Sequence, residues 1–178
     1  PNRMLQTISK FRGTLTWLPN FAYNFCAQKI RDRDMEGVDL SSWRMSVNCS
    51  EPVRFKSHEM FYERFKAFGL RFETLQTSYA MAENVFGVTQ SEPNTPPRVE
   101  QVDRETFISK HMARLVYAGR PAIQMMSSGR PISNTLVRIV DGKGVPEDID
   151  RLYAISHAND GTTICGMGDA AGYATVGI

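Results

Sequence analysis

The amino-acid sequence predicts an α/β fold, and three observations carry that prediction. Short β-prone runs alternate with stretches whose apolar residues recur at helical spacing, the pattern of strands paired with covering helices. Hydrophobic residues make up 42% of the chain and charged residues 22%, the balance of an ordinary globular protein. A loop at residues 91–97 with three prolines forbids a regular element there, and a β-richer segment follows residue 97.

Residues 13–18 alternate and are β-prone, so they read as a strand ending at Pro19. From Asn20, the set Phe21, Phe25, Cys26 and Ile30 predicts a helix with Asn20 as its cap, ended by the charged run Arg31–Asp34. Trp43–Val47 is a second strand candidate, with a turn at Cys49, Ser50, Glu51 and Pro52 after it. The clearest helix spans 57–68, with Ser57 as N-cap, Phe61, Phe65 and Phe68 on the apolar face, and Gly69 as the stop. Leu75–Ser78 and Val85–Thr89 are short β-type runs on either side of Tyr79–Glu83. Ile123–Ser127 and Leu136–Asp141 read as strands around a Gly129–Pro131 turn. The domains expected are residues 1–97, a partial α/β subdomain, residues 98–141, a partial β-rich subdomain, and residues 142–178, a tail.

Composition narrows the function classes. A net charge of +2 is too small to argue for nucleic acid or a membrane surface. No apolar run has the roughly 18 residues of a membrane span, and no signal-peptide pattern opens the chain. Cys26, Cys49 and Cys165 form no CxxC pair, which fits a reduced, cytoplasmic setting. The chain starts at Pro1 and stops at Ile178 inside an apolar, glycine-dotted stretch, so both ends read as cuts and a fragment is expected.

An adenylating site must stack adenine on an aromatic face, bond its edge with backbone groups, and hold Mg²⁺ on the triphosphate with a carboxylate. Such a crevice forms at strand ends in an α/β sheet. Tyr79 offers the ring, Glu83 the carboxylate, and the 49–52 turn an exposed backbone. The same residues also fit a bland reading, solvated polar groups beside a core aromatic, and spacing alone leaves both open.

Five blocks in order carry a resemblance that separates the two readings. Leu18–Cys26 (Leu-Pro-Asn-Phe-Ala-Tyr-Asn-Phe-Cys), Asp39–Arg44, Asn48–Val53, Tyr79–Glu83 (Tyr-Ala-Met-Ala-Glu), and Ser128–Pro131 with Val137–Asp141 resemble fatty-acyl-AMP ligases over about residues 1–141. The resemblance implies an incomplete adenylation-domain fold, a mixed sheet flanked by helices. It implies a parent reaction in which fatty acid and ATP give acyl-adenylate and pyrophosphate. By position, Asn48, Cys49, Ser50, Glu51 and Pro52 match the turn that lines the adenine pocket, and Tyr79 matches the stacking ring. Glu83 matches the glutamate near Mg²⁺ and phosphate, here the catalytic and metal candidate. Asn20, Phe21 and Tyr23, with Ala80 and Met81, match the acyl-substrate side. The implied cofactors are ATP/AMP and Mg²⁺; the implied partners are a fatty acid or acyl chain and an acyl carrier protein or CoA acceptor. Cys49-Ser50 stands where Gly-Ala is usual, placing bulkier residues where the backbone approaches the base. Ala82, where the wider superfamily has threonine, is typical of the narrower family.

The family's phosphate loop, its ribose-binding aspartate and its catalytic lysine have no match in residues 1–178, so the chain alone is expected to turn over little. If the resemblance holds, Tyr79, Glu83 and residues 49–52 converge on one crevice at strand C-termini. A second resemblance lies at the tail: residues 144–156 and 161–171 are similar to the C-terminal part of the NADH-binding flavoprotein subunit of respiratory complex I, with Cys165 at an iron–sulfur ligand position. The Cys-x-x-Cys-x-x-Cys run of that subunit is absent, His157 has no ligand set, and Gly166–Gly168 lacks a dinucleotide setting. The competing functions are an iron–sulfur electron-transfer fragment and a non-catalytic domain that binds nucleotide or acyl ligand.

Overall fold

The structure is a computed structural model that describes residues 1–116 and 121–137. The chain divides into two compact units. The first is Pro1–Tyr79 with Thr89–Arg130; the second is Ala80–Val88 with the described residues from Pro131 on.

In the first unit, helix α1 (Asn2–Phe11) precedes strand β1 (Leu15–Leu18). It buries Leu5 and Ile8, one turn apart on a single face. Helix α2 (Asn20–Lys29) leads through a 3-10 turn at Asp32–Met35 to strand β2 (Met45–Asn48). Helix α3 (Phe55–Phe65) then leads to strand β3 (Leu75–Met81). Pairing of β1 with β2 and of β2 with β3 is parallel, so each connection needs a helical crossover, which α2 and α3 supply. The strand order of this mixed sheet is β1-β2-β3-β4-β7, with β4 (Phe86–Gln90) and β7 (Arg130–Pro131) each divided between the two units. Strands β5 (Val99–Asp103) and β6 (Ala122–Met126) form a separate antiparallel pair, with the short helix α4 (Arg104–Lys110) between them in sequence.

The core of this unit is aromatic. Tyr23, Trp43, Phe61 and Phe65 are all fully buried, and each buried side chain of this size contributes roughly 2–3 kcal/mol. Phe61 sits at the centre, 5.1 Å from Tyr23, 4.7 Å from Phe65 and 6.1 Å from Trp43, ring to ring. The proline loop is tied to β3 through Gln76. Its Nε2 donates to the carbonyls of Glu73 and Thr95, and its Oε1 accepts from Ser91.

In the second unit, Ala82–Asn84 forms a 3-10 turn, and Asn84 Nδ2 donates to the Gly87 carbonyl at 2.6 Å and to Thr135 Oγ1 at 3.2 Å. The N–H of Ile132 donates to the Val88 carbonyl at 3.1 Å.

The α/β class and the alternation hold, and several local expectations are corrected. Asn20 does not cap α2; Pro19 stands there, and the Asn20 side chain turns to partners elsewhere. The helix expected at Ser57 begins at Phe55. Ser57 is buried inside its first turn and its N–H already donates to the Arg54 carbonyl. Trp43 belongs to the core, and its strand starts at Met45. The strand expected from Leu136 does not form at 136–137, which are exposed and irregular; its remainder, like the whole tail with Cys165 and His157, lies outside the described residues. Helix α1, helix α4 and strand β5 were not foreseen. Among the described residues, no helix is long and apolar enough to cross a membrane, and Cys26 and Cys49 are free, buried thiols.

Candidate functional site

The carboxyl ends of β1, β2 and β3 meet along one edge of the sheet. Register pairs Leu18 with Asn48 and Asn48 with Thr77, so the 49–54 turn leaves the sheet beside the start of α2. Tyr79 lies two residues beyond Thr77, about 7 Å along the strand. Its backbone N–H donates to Thr89 Oγ1 at 3.3 Å while its side chain is half exposed. The structure thus brings Tyr79 and residues 48–52 to the same sheet edge.

Each residue of the turn has a distinct role. Asn48 is fully buried, and its Nδ2 reaches Asn20 Oδ1 at 3.1 Å and His58 Nε2 at 3.0 Å. Cys49 is buried, its N–H donating to the Leu18 carbonyl at 3.2 Å. Ser50 is exposed and sits at φ 73°, a left-handed conformation that favours glycine. Glu51 is exposed, yet its Oε1 accepts from the Phe21 N–H at 2.6 Å, closing the N-terminus of α2. Pro52 is exposed and irregular. At the far end of the turn, the Arg54 N–H donates to Asn20 Oδ1 at 3.1 Å.

The α2 residues divide by burial. Phe21 is 62% exposed, whereas Tyr23 is fully buried with its hydroxyl 2.9 Å from Ser46 Oγ. Burial raises the Tyr23 phenol far above its ordinary range, so it stays protonated. Ser46 also accepts from Thr16 Oγ1, which accepts from Trp43 Nε1, a polar line beneath α2. In the second unit, Ala80 and Met81 are half-buried at the end of β3, and Glu83 is exposed on the Ala82–Asn84 turn.

Two buried side-chain atoms have no hydrogen-bond partner among the described residues, Asn48 Oδ1 and His58 Nδ1. His58 was missed by sequence reasoning. The available signal was its place three and seven residues before Phe61 and Phe65, on the buried face of α3. Burial lowers its pKa to about 4, so the ring is neutral near neutral pH. Among the described residues, no group of three or more His, Cys, Asp or Glu could hold a metal ion. A single exposed carboxylate such as Glu83 still fits Mg²⁺ shared with substrate phosphates, since that ion commonly takes only one or two protein carboxylates.

No family model matches the chain. The medium-chain-fatty-acid–acyl-carrier-protein ligase JamA of Moorena producens is 34% identical over 143 residues, covering 79% of this chain and 24% of that protein. A crystal structure of a fatty acid AMP ligase from Legionella pneumophila matches with a TM-score of 0.73 and 35% identity, over 83% of this chain and 25% of that one. A fatty acyl-adenylate ligase from L. pneumophila, solved with acyl adenylate and pyrophosphate, matches with a TM-score of 0.69 and 36% identity, over 72% of this chain and 23% of that one. The chain spans about a quarter of the length of the relatives it matches.

Proposed function

From the premise that this chain carries part of the fatty-acyl-AMP ligase fold, within the AMP-binding family, we propose that it forms part of the nucleotide and acyl site of such an enzyme. The reaction is attack of a fatty-acid carboxylate on the α-phosphate of ATP, forming acyl-adenylate and releasing pyrophosphate. The observation that carries this reading is the shared edge: the exposed ring of Tyr79 lies on the strand neighbouring the one that feeds the 48–52 turn.

In this reading Tyr79 stacks on adenine and the backbone of residues 49–52 faces the base edge. Glu83 supplies a carboxylate for Mg²⁺ bound to the phosphates, and that ion supplies charge neutralisation when bound. Phe21 and the part-buried Ala80 and Met81 offer apolar surface to the acyl chain. Asn20, Tyr23 and Asn48 are too buried to touch a ligand as they stand and act from beneath the surface. The activated acyl group would then pass to an acyl carrier protein or to CoA.

The test is an AMP titration of the full chain followed by NMR, comparing wild type with Tyr79→Ala and Tyr79→Phe. Base stacking on an aromatic ring contributes about 1–3 kcal/mol, so alanine is expected to weaken AMP binding about ten- to hundredfold while phenylalanine retains it. Absence of shifts at Tyr79 and residues 48–52 at millimolar AMP would overturn the reading.

A further inference from the structure

The polar relay behind the 48–54 turn has a fixed direction. A backbone N–H only donates, so the Asn20 atom that meets the Arg54 N–H is the amide oxygen. That same oxygen faces the Asn48 side chain, which must present its NH₂ group. The NH₂ has two protons, and the second points at His58 Nε2, 3.0 Å away. Nε2 therefore accepts, and the ring proton sits on Nδ1. Flipping the Asn48 amide would place two acceptors face to face at Asn20, and flipping Asn20 would set its NH₂ against the Arg54 N–H. One main-chain donor thus decides the orientation of three buried side chains.

We propose that Asn20 is a positioning residue: its single amide oxygen holds both ends of residues 48–54 and, through Asn48, fixes His58 as the Nδ1–H tautomer. The two acceptor lone pairs of that oxygen match its two donors. Between the two anchors, Glu51 bonds back to the N-terminus of the same helix, so α2 holds the turn at three points. Asn20 is 5% exposed and His58 fully buried, so solvent is kept from the Asn20–Asn48 and Asn48–His58 bonds. Phe21, adjacent to Asn20, is the exposed residue of the acyl side; packing of an acyl chain there would be felt directly by the turn. The inference rests on the reading that this turn faces the nucleotide.

The experiment combines imidazole nitrogen chemical shifts, amide hydrogen exchange and AMP titration on the full chain. Wild type is expected to show His58 protonated on Nδ1, a readout that needs no variant. Asn20→Leu, with the same branching but without an acceptor, is expected to lower protection of the Arg54 amide about tenfold or more and to mix the His58 tautomers. Asn20→Asp keeps an oxygen for both donors and is expected to restore both. An Nε2–H tautomer in wild type overturns the proposal, as does unchanged Arg54 protection in Asn20→Leu. If AMP binds wild type and Asn20→Leu equally well, the positioning role is overturned as well. Failure of wild type to bind AMP, with the tautomer and exchange results intact, strikes the functional reading and leaves the relay standing.

Discussion

The carboxylate of Glu51 accepts a hydrogen bond from the backbone N–H of Phe21 at 2.6 Å, so a residue thirty positions away closes the N-terminus of α2. Pro19, at the cap position, has no side-chain acceptor. Glu51 fills that role and adds a negative charge at the positive end of the helix.

Replacing Glu51 with alanine is therefore expected to lower stability by about 1 kcal/mol. Glutamine, which keeps the acceptor and loses the charge, should lie between the two. Urea denaturation of the three proteins checks the order. Loss of AMP binding without loss of stability in Glu51→Ala would instead assign the carboxylate to ligand.

Gly129 has φ +92°, and a Cβ built on it would overlap the carbonyl of Gln90 and the N–H of Ser91. The loop is held there by Thr77 Oγ1, which donates to the Ser127 carbonyl at 2.7 Å, and by Thr89 Oγ1, which donates to the Ser128 carbonyl at 2.6 Å. Gly129→Ala combines a left-handed conformation with a backbone clash, so a loss of more than about 2 kcal/mol is expected. Thermal or urea unfolding measures it. A change within error would show that the loop can move off the sheet.

His58 links stability to pH. Its folded pKa is lowered from 6.5 to about 4 by burial, so the unfolded chain binds the proton more readily across that window. Stability is full above the unfolded value and is lost as pH falls from about 6.5 towards 4, by an amount on the order of 3 kcal/mol. Carboxylates titrate in the lower part of the window, so the comparison is with His58→Gln. The slope of stability against pH between about pH 7 and 5 should be shallower in that variant. Equal slopes would mean the ring is reached by water.

Much of the fold was legible because period-2 and period-3.6 patterns are local. The run Leu15–Leu18, the helix after Pro19 and the face Phe61–Phe65 follow from spacing alone. Helix boundaries were less legible. Ser57 and Asn20 both have the chemistry of caps, yet burial sent one inside the first turn of α3 and the other to partners on β2 and at Arg54. Helix α4 was missed because its seven residues carry little periodic apolar signal and bury none of their side chains.

The sequence by itself determined the α/β alternation, the family likeness carried by its ordered blocks, and the candidacy of Tyr79 and residues 48–52 for the site. Only the tertiary structure decided which way Glu51 points, that Asn20 serves the turn rather than its own helix, and that His58 belongs to the arrangement. The physical reason is range. Periodicity records which face a residue presents to its own element. The bonds from Asn20, Glu51 and Asn48 depend on the parallel register that sets Leu18 beside Asn48 and Asn48 beside Thr77. That register joins residues some thirty positions apart, and no local run of residues encodes it.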